Sequence, residues 1–265
     1  MQTTNQRLLD ISGGINFREL GGYPTVDGRT VKWQRAIRTA SLARLTDDDQ
    51  QTLINYGVKV DVNFRSNTEI TKEPDRVPTG VRYQHLPVFE EDQTDNSKTQ
   101  AEIQAELKEK AENGFQHMLD TYHDMITTEK SHEAYQQFFQ TLLTTENDVV
   151  LFHCTAGKDR TGMGAVFFLN ALGVAQPTIR QDYLLTNQVA AGLLHRRLES
   201  AKAEGVSGQL LDSIKALWRV SDAYYENAMT AIRDDYGDMH GFLTKALDLS
   251  DQDITDLQTL YLTKA

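Results

Sequence analysis

Ten residues, His153-Cys154-Thr155-Ala156-Gly157-Lys158-Asp159-Arg160-Thr161-Gly162, separate two apolar segments and constrain the fold more than any other stretch. Upstream, Asp148-Val149-Val150-Leu151-Phe152 is short, β-branched and apolar, which predicts a strand buried on both faces. Downstream, Met163 to Leu172 is apolar all round, which predicts a buried helix. A tight loop between them aims backbone N–H groups and the positive end of a helix dipole into one concavity. Inorganic phosphate or a similar anion is the expected occupant.

Side chains narrow that chemistry. Cys154 is the only cysteine, and five residues separate it from Arg160, so the sulfur can lie at the floor of the loop and the guanidinium at its rim, gripping two phosphate oxygens. A helix N-terminus and a nearby cation favour the thiolate, the nucleophilic form of cysteine. Read only as a small buried hydrophobe, Cys154 would leave the glycine, the cations and the helix start unexplained. A nucleotide-binding Walker loop needs Ser or Thr directly after Gly-Lys and a glycine five residues before that Gly; Asp159 and Phe152 stand there instead.

The Cys-x5-Arg signature, with His153 before the cysteine and Thr161 after the arginine, resembles the protein tyrosine phosphatase superfamily. The full HCTAGKDRTG run is similar to the bacterial atypical tyrosine and phosphoinositide phosphatases of the PtpB type. A separate match lies at Asn16-Phe17-Arg18-Glu19-Leu20-Gly21-Gly22-Tyr23, followed by Ile37-Arg38-Thr39-Ala40-Ser41-Leu42, which resembles the family's amino-terminal signature. The resemblance implies an α/β fold: a central, mostly parallel sheet flanked by helices, with a helical lid insertion. It also matches Asp61, Arg65 and Glu69 to an element that buttresses the phosphate loop, although Asn63 alters the usual spacing. Taken from the residues alone, Asp61 and Arg65 fit equally well as a solvent-facing pair at a strand end.

The expected reaction is phosphomonoester hydrolysis with phosphotyrosine proteins and phosphoinositides as substrates. Cys154 would attack phosphorus to form a thiophosphoryl enzyme, while Arg160 and the N–H groups from Thr155 through Ala156 and Gly157 to Arg160 hold the equatorial oxygens. No metal or other cofactor is expected. Thr161 is expected to donate to the sulfur and His153 to fix the loop. Departure of a phenol, with a pKa of about 10, needs a proton donor. The resemblance makes Asp159 the first candidate; Asp92, in the polar run after a strand at Val81–Val88, is the second by the mobile-loop logic of other tyrosine phosphatases. Lys158 would bring a second cation to the pocket mouth for extra phosphates of an inositol ring. A rhodanese-like sulfurtransferase and a non-catalytic phosphate-binding module are the competing readings.

The 265 residues are expected to form one domain over 1–265, with a lid insertion at about 97–130 and a carboxyl-terminal helical layer at about 178–264. Glycine-punctuated ribbon is predicted for residues 13–40, turning at Asp27-Gly28. Thr46 before Asp47-Asp48-Asp49 reads as a capped helix start rather than a metal site, and His117, His123 and His132 lack metal-ligand spacing. After the central loop, helices are predicted at about 177–191, 207–218, 221–236, 239–248 and 251–264. A formal net charge of −11 disfavours nucleic acid. The opening residues lack a signal-like apolar run, and no stretch reaches membrane-span length, so stable membrane insertion is not expected and a cytoplasmic protein is. Export by a route without a cleaved signal would leave the same sequence.

Overall fold

The apolar run before the ten-residue loop forms the middle strand of the sheet, as its composition requires. The computed structural model describes residues 5–95, 97–99, 101–103 and 113–264. Its strands are β1 (Arg18–Glu19), β2 (Ala36–Thr39), β3 (Val58–Asn63), β4 (Arg82–His85) and β5 (Val149–His153), in spatial order β1-β2-β5-β3-β4. The pairs β2–β5, β5–β3 and β3–β4 are parallel, and β1 joins β2 antiparallel. Thr39 and Asn63 lie opposite His153 on either side, so three strands end together where the loop begins. In open parallel sheets this carboxyl edge is where ligands bind.

Alternation along β5 divides the core. Val150 and Phe152 face the larger apolar cluster, whereas Val149 and Leu151 face a smaller one with Ile37, Leu53 and Val58. The smaller face is closed by α1 (Asp47–Tyr56), whose predicted cap is present: Thr46 and Asp49 form a capping box. Asp49 also accepts from the N–H groups of Ser12 (2.8 Å) and Gly13 (2.8 Å), tying the amino-terminal segment to that helix.

Ten further helices follow: α2 (Asn67–Lys72), α3 (Gly114–Thr127), α4 (Glu129–Thr144), α5 (Arg160–Ala171), α6 (Gln176–Val189), α7 (Ala191–Ala203), α8 (Gly208–Trp218), α9 (Asp222–Tyr236), α10 (Met239–Lys245) and α11 (Asp251–Tyr261), counted among the described residues. Helix α4 is fastened beneath the loop by aromatic contacts: the Phe138 ring centroid lies 4.8 Å from that of Phe152 and 5.3 Å from that of Phe64. Burying such rings stabilises each by roughly 1.5–3 kcal/mol, which holds β3 and β5 in register under the site.

Three expectations change. The ribbon at 13–40 is not continuous: it comprises the two-residue β1, the four-residue β2 and isolated bridges at Pro24–Thr30, Thr25–Val174 and Val31–Leu262, with the turn at Gly28 (φ 87°) as read. Part of the expected lid at 97–130, residue 100 and residues 104–112, lies outside the described residues, as does most of its polar run Ala101 to Lys108. The remainder is not a thin cover, because α3 places Met118, Tyr122, Met125 and Ile126 fully in the core. Helix α7 was not expected; only its Ala201 is buried, so its apolar periodicity is faint.

Candidate active site

The loop between β5 and α5 is held open from outside. Gly157 adopts φ +64°, and a Cβ there would stand 2.3 Å from the Thr39 carbonyl oxygen, so glycine is required. The Gly157 carbonyl accepts from Asn16 Nδ2 (2.8 Å) and Arg38 Nη2 (3.0 Å), and the Thr155 carbonyl from the Ser41 N–H (3.1 Å). Because peptide units are planar, turning these carbonyls outward turns neighbouring N–H groups inward. Among the described residues the N–H groups of Ala156, Gly157 and Lys158 meet no protein acceptor. Such a nest of donors at a helix start suits an anion.

Arg160, fully buried, starts α5 and is gripped by Glu69: Nη1 donates to Oε2 (2.6 Å) and Nη2 to Oε1 (2.8 Å). Glu69 also accepts from Thr155 Oγ1 and from the Ser66 N–H (2.8 Å). Burial opposes ionisation of Glu69, but the Arg160 charge and these hydrogen bonds outweigh it and hold the carboxyl down at about 2. Arg160 Nε is buried without a partner. An unpaired buried donor costs about 1–3 kcal/mol, a cost that an anion oxygen would remove.

Asp92 stands at the same guanidinium, its Oδ1 3.5 Å from Arg160 Nη2, and Thr94 Oγ1 accepts from that nitrogen at 3.0 Å. Rather than reaching freely into the pocket, the Asp92 carboxylate accepts from both the N–H and hydroxyl of Thr94 (3.1 and 2.7 Å) and of Ser97 (2.8 and 2.7 Å). This turn meets the loop at Arg160, and Cys154 is fully buried. The accessible cavity, about 550 Å³, is lined by Thr155 and Ala156 of the loop together with Arg65, Lys72, Leu193 and Trp218.

Asp159 is buried at the N-cap of α5. Its carboxylate accepts from Tyr122 Oη (2.9 Å) and pairs with Lys158 Nζ (2.6 Å), while Tyr183 Oη donates to Tyr122 (2.9 Å). Burial, reinforced by the Asp159 charge, raises the Tyr122 pKa and keeps the phenol a donor. Two expectations are corrected here. Lys158 does not stand at the pocket mouth; it is 2% exposed and committed to Asp159. Thr161 does not reach the sulfur, for its buried hydroxyl has no hydrogen-bond partner.

The supporting residues gather behind the loop. His153 Nε2 lies 3.2 Å from Asp61 Oδ1, off the line of a hydrogen bond, and 3.6 Å from Asp75 Oδ2, so the contact is chiefly between charges. Burial lowers the imidazole's pKa, yet Asp75 and Asp61 together outweigh it and raise it; burial raises Asp61 as well. Arg65 completes the cluster through Asp75 (2.6 Å) and the Glu73 carbonyl (2.9 Å), with Asn63 accepting from its N–H (2.9 Å). Asp61 and Arg65 are thus buried rather than the solvent-facing pair that the sequence alone equally allowed.

Sequence reading missed the clamp behind Gly157. Asp182, in the middle of α6, pairs with Arg38 (2.8 Å) and Arg18 (3.4 Å) and accepts from Tyr23 Oη (2.9 Å). Burial works against the carboxylate, but Arg18 and Arg38 hold it down at about 2. Arg38 is itself pushed down to about 10 by burial and by Arg18, which still leaves it protonated at neutral pH. The available signal was an arginine inside the apolar strand Ala36-Ile37-Arg38, since a charge there demands a buried partner. A larger groove of about 900 Å³ between α6 and α9 reaches Asp182 but contains no residue of the loop.

A mostly parallel sheet whose central strand delivers a Cys-x5-Arg loop to a helix N-terminus defines an enzyme of the protein tyrosine phosphatase class. The chain belongs to the tyrosine phosphatase family, whose family model matches residues 9–263. A protein of Cupriavidus necator assigned as a tyrosine-protein phosphatase is 32% identical over 252 residues, covering 93% of this chain and 85% of the relative. A tyrosine-protein phosphatase of Nostoc commune is 28% identical over 228 residues, 84% of this chain and 72% of its own. The triple specificity protein phosphatase PtpB of Mycobacterium tuberculosis is 27% identical over 264 residues, 89% of this chain and 93% of its own. Among the described residues no helix is long and apolar enough to cross a membrane.

Two variants test the loop's support. Gly157→Ala should keep its circular dichroism spectrum and lose about 10²-fold or more in kcat/KM on an aryl phosphate, because displaced donors no longer match the anion. Asp182→Asn should be less stable to urea at neutral pH by about 3 kcal/mol. A carboxyl depressed from 3.8 to about 2 stabilises the fold above its unfolded value and ceases to do so as pH falls through the folded one. The stability gap between wild type and Asp182→Asn should therefore narrow by about 2 kcal/mol on acidification across that window; a gap independent of pH would contradict the assignment.

Proposed function

We propose that the protein hydrolyses phosphotyrosine in proteins through a thiophosphoryl intermediate on Cys154. The observation that carries this reading is the buried, partnerless Nε of Arg160, fixed by Glu69 beside a nest of backbone donors and the loop cysteine. A phosphoryl group entering the loop takes over Arg160 donors now facing Thr94 and Asp92. The Cys154 thiolate forms a bond to phosphorus as the bond to the ester oxygen breaks, and the departing phenolate receives a proton. Water then attacks phosphorus, the S–P bond breaks, the proton from water returns to the general acid, and inorganic phosphate leaves. Arg160 and the loop N–H groups favour the charge spread over the equatorial oxygens.

Asp159 is assigned as the general acid. It adjoins Arg160 in the loop itself, whereas four donors already engage the two oxygens of Asp92. Tyr122 and Lys158 orient the Asp159 carboxylate, and this alters the role given to Lys158 from substrate contact to positioning. A role for Lys158 in binding a second inositol phosphate is not supported by a side chain so enclosed. Asp92 and Thr94 act instead on entry to the site, by competing with substrate for Arg160.

Cys154→Ser should reduce phosphatase turnover to background, which separates this reading from a phosphate-binding module, and thiosulfate with cyanide should yield no thiocyanate. Asp159→Asn should lose about 10²–10⁴-fold on phenyl phosphate and far less on p-nitrophenyl phosphate, whose leaving group needs less protonation. Asp92→Asn should affect both substrates alike. The reverse pattern would transfer the acid's role to Asp92.

A further inference from the structure

The mouth of the 550 Å³ cavity carries charge of the opposite sign to the chain as a whole. Arg44, Arg65, Lys72, Arg196 and Arg197 line it against only Glu69 and Glu73, in a protein whose formal net charge is −11. Most of these charges are matched: Arg65 by Asp75 (2.6 Å), Arg44 by Glu73 (3.1 Å), Lys72 by Glu102 (3.3 Å), and Glu69 by Arg160. Arg196 and Arg197, adjacent on α7, have no carboxylate partner among the described residues. Arg197 is nonetheless held in place, its guanidinium 4.3 Å from the centroid of the Trp218 ring. Burial, with the Arg44 charge adding to it, pushes the Arg197 pKa down. Arg44 is thus already matched by Glu73, whereas Arg196 and Arg197 bring two guanidinium groups without a carboxylate partner to the mouth, one of them fixed by stacking.

We propose that Arg196 and Arg197 form a second anion subsite that selects phosphotyrosine flanked by acidic side chains in a protein substrate. This rests on the phosphatase reading and extends it from the reacting phosphate to its neighbours. Charges at the rim of a pocket steer and discriminate partners, and here the subsite supplies the local attraction that an acidic protein otherwise denies an acidic substrate. An acidic peptide is favoured over a lipid embedded in a membrane for two reasons. Among the described residues the exposed large apolar side chains, Leu8, Val26, Tyr83 and Phe115, do not line this mouth, so none of them there would enter a bilayer. The net negative charge also opposes docking on an anionic leaflet. Ile15, Leu193 and Trp218, which do line the cavity, offer apolar wall for an aromatic ring instead.

The test compares kcat/KM for three phosphotyrosine peptides of equal length, with acidic, neutral and basic flanks, at low and high salt. Wild type should prefer the acidic peptide to the neutral one by roughly tenfold at low salt, and the preference should shrink as salt rises. The ratio should fall to about 1 in Arg196→Gln/Arg197→Gln and invert in Arg196→Glu/Arg197→Glu. Arg196→Gln alone, at an exposed position, should lower the ratio without disturbing the Trp218 stack. Equal rates for all three peptides in wild type would overturn the subsite while leaving the phosphatase reading intact; no turnover of any peptide or of p-nitrophenyl phosphate would overturn the phosphatase reading itself. Should hydrolysis of phosphoinositides in anionic vesicles respond to these substitutions while the peptide ratio does not, the subsite belongs to lipid and the proposal is wrong.

Discussion

The site depends on one backbone carbonyl facing away from it. With Gly157 O held by Asn16 and Arg38, the following peptide units keep their N–H groups on the concave side of the loop, beside the helix start at Arg160. Neither the nest nor the seat of the sulfur would persist if that carbonyl turned inward, since a carbonyl oxygen repels the anion that an N–H attracts. The constraint explains the glycine, whose positive φ and lack of Cβ are both required. It also explains why so many buried charges converge behind the loop rather than in it. Arg38 needs Asp182 as a counter-charge, Asp182 in turn accepts from Tyr23 and pairs with Arg18, and thus the amino-terminal segment and α6 are both committed to one turn of chain.

A second clamp acts on the other flank. Glu69, itself oriented by the capping box with Ser66 at the start of α2, fixes Arg160 in two places. A free arginine would have to lose side-chain entropy on meeting phosphate; here that ordering is already done, and the unpaired Nε awaits an acceptor. Thr94 and Asp92 lie against the same guanidinium, so anion entry and rearrangement of their turn are coupled. Preorganisation inside and competition at the entrance are consequences of the same buried cation.

Much of this was legible in the chain. The continuous apolarity of Val149–Phe152 could only belong to a central strand, and the Thr46–Asp49 cap was visible because capping is local chemistry. Cys154, Asp159 and Arg160 were found because the loop is contiguous in sequence. Asn16, Arg38, Asp182 and Tyr122 were not assigned roles, because they reach the loop from 141, 119 or 37 residues away, or act through a partner, and no local period marks such a contact. Lys158 was misplaced for a related reason: a lysine is ordinarily exposed, and only the fold shows Asp159 beside it under cover. Helix α7 escaped because it buries so little, yet it brings Arg196 and Arg197 to the mouth.

Covalent capture of phosphorus by the loop cysteine is the claim on which the chemistry turns, and rapid acid quench addresses it directly. Enzyme mixed with a radiolabelled aryl phosphate and quenched within the first turnover should carry label on the peptide containing Cys154, and the label should decay at the rate of phosphate release. Steady hydrolysis with no labelled protein, or with label on another residue, would contradict the account.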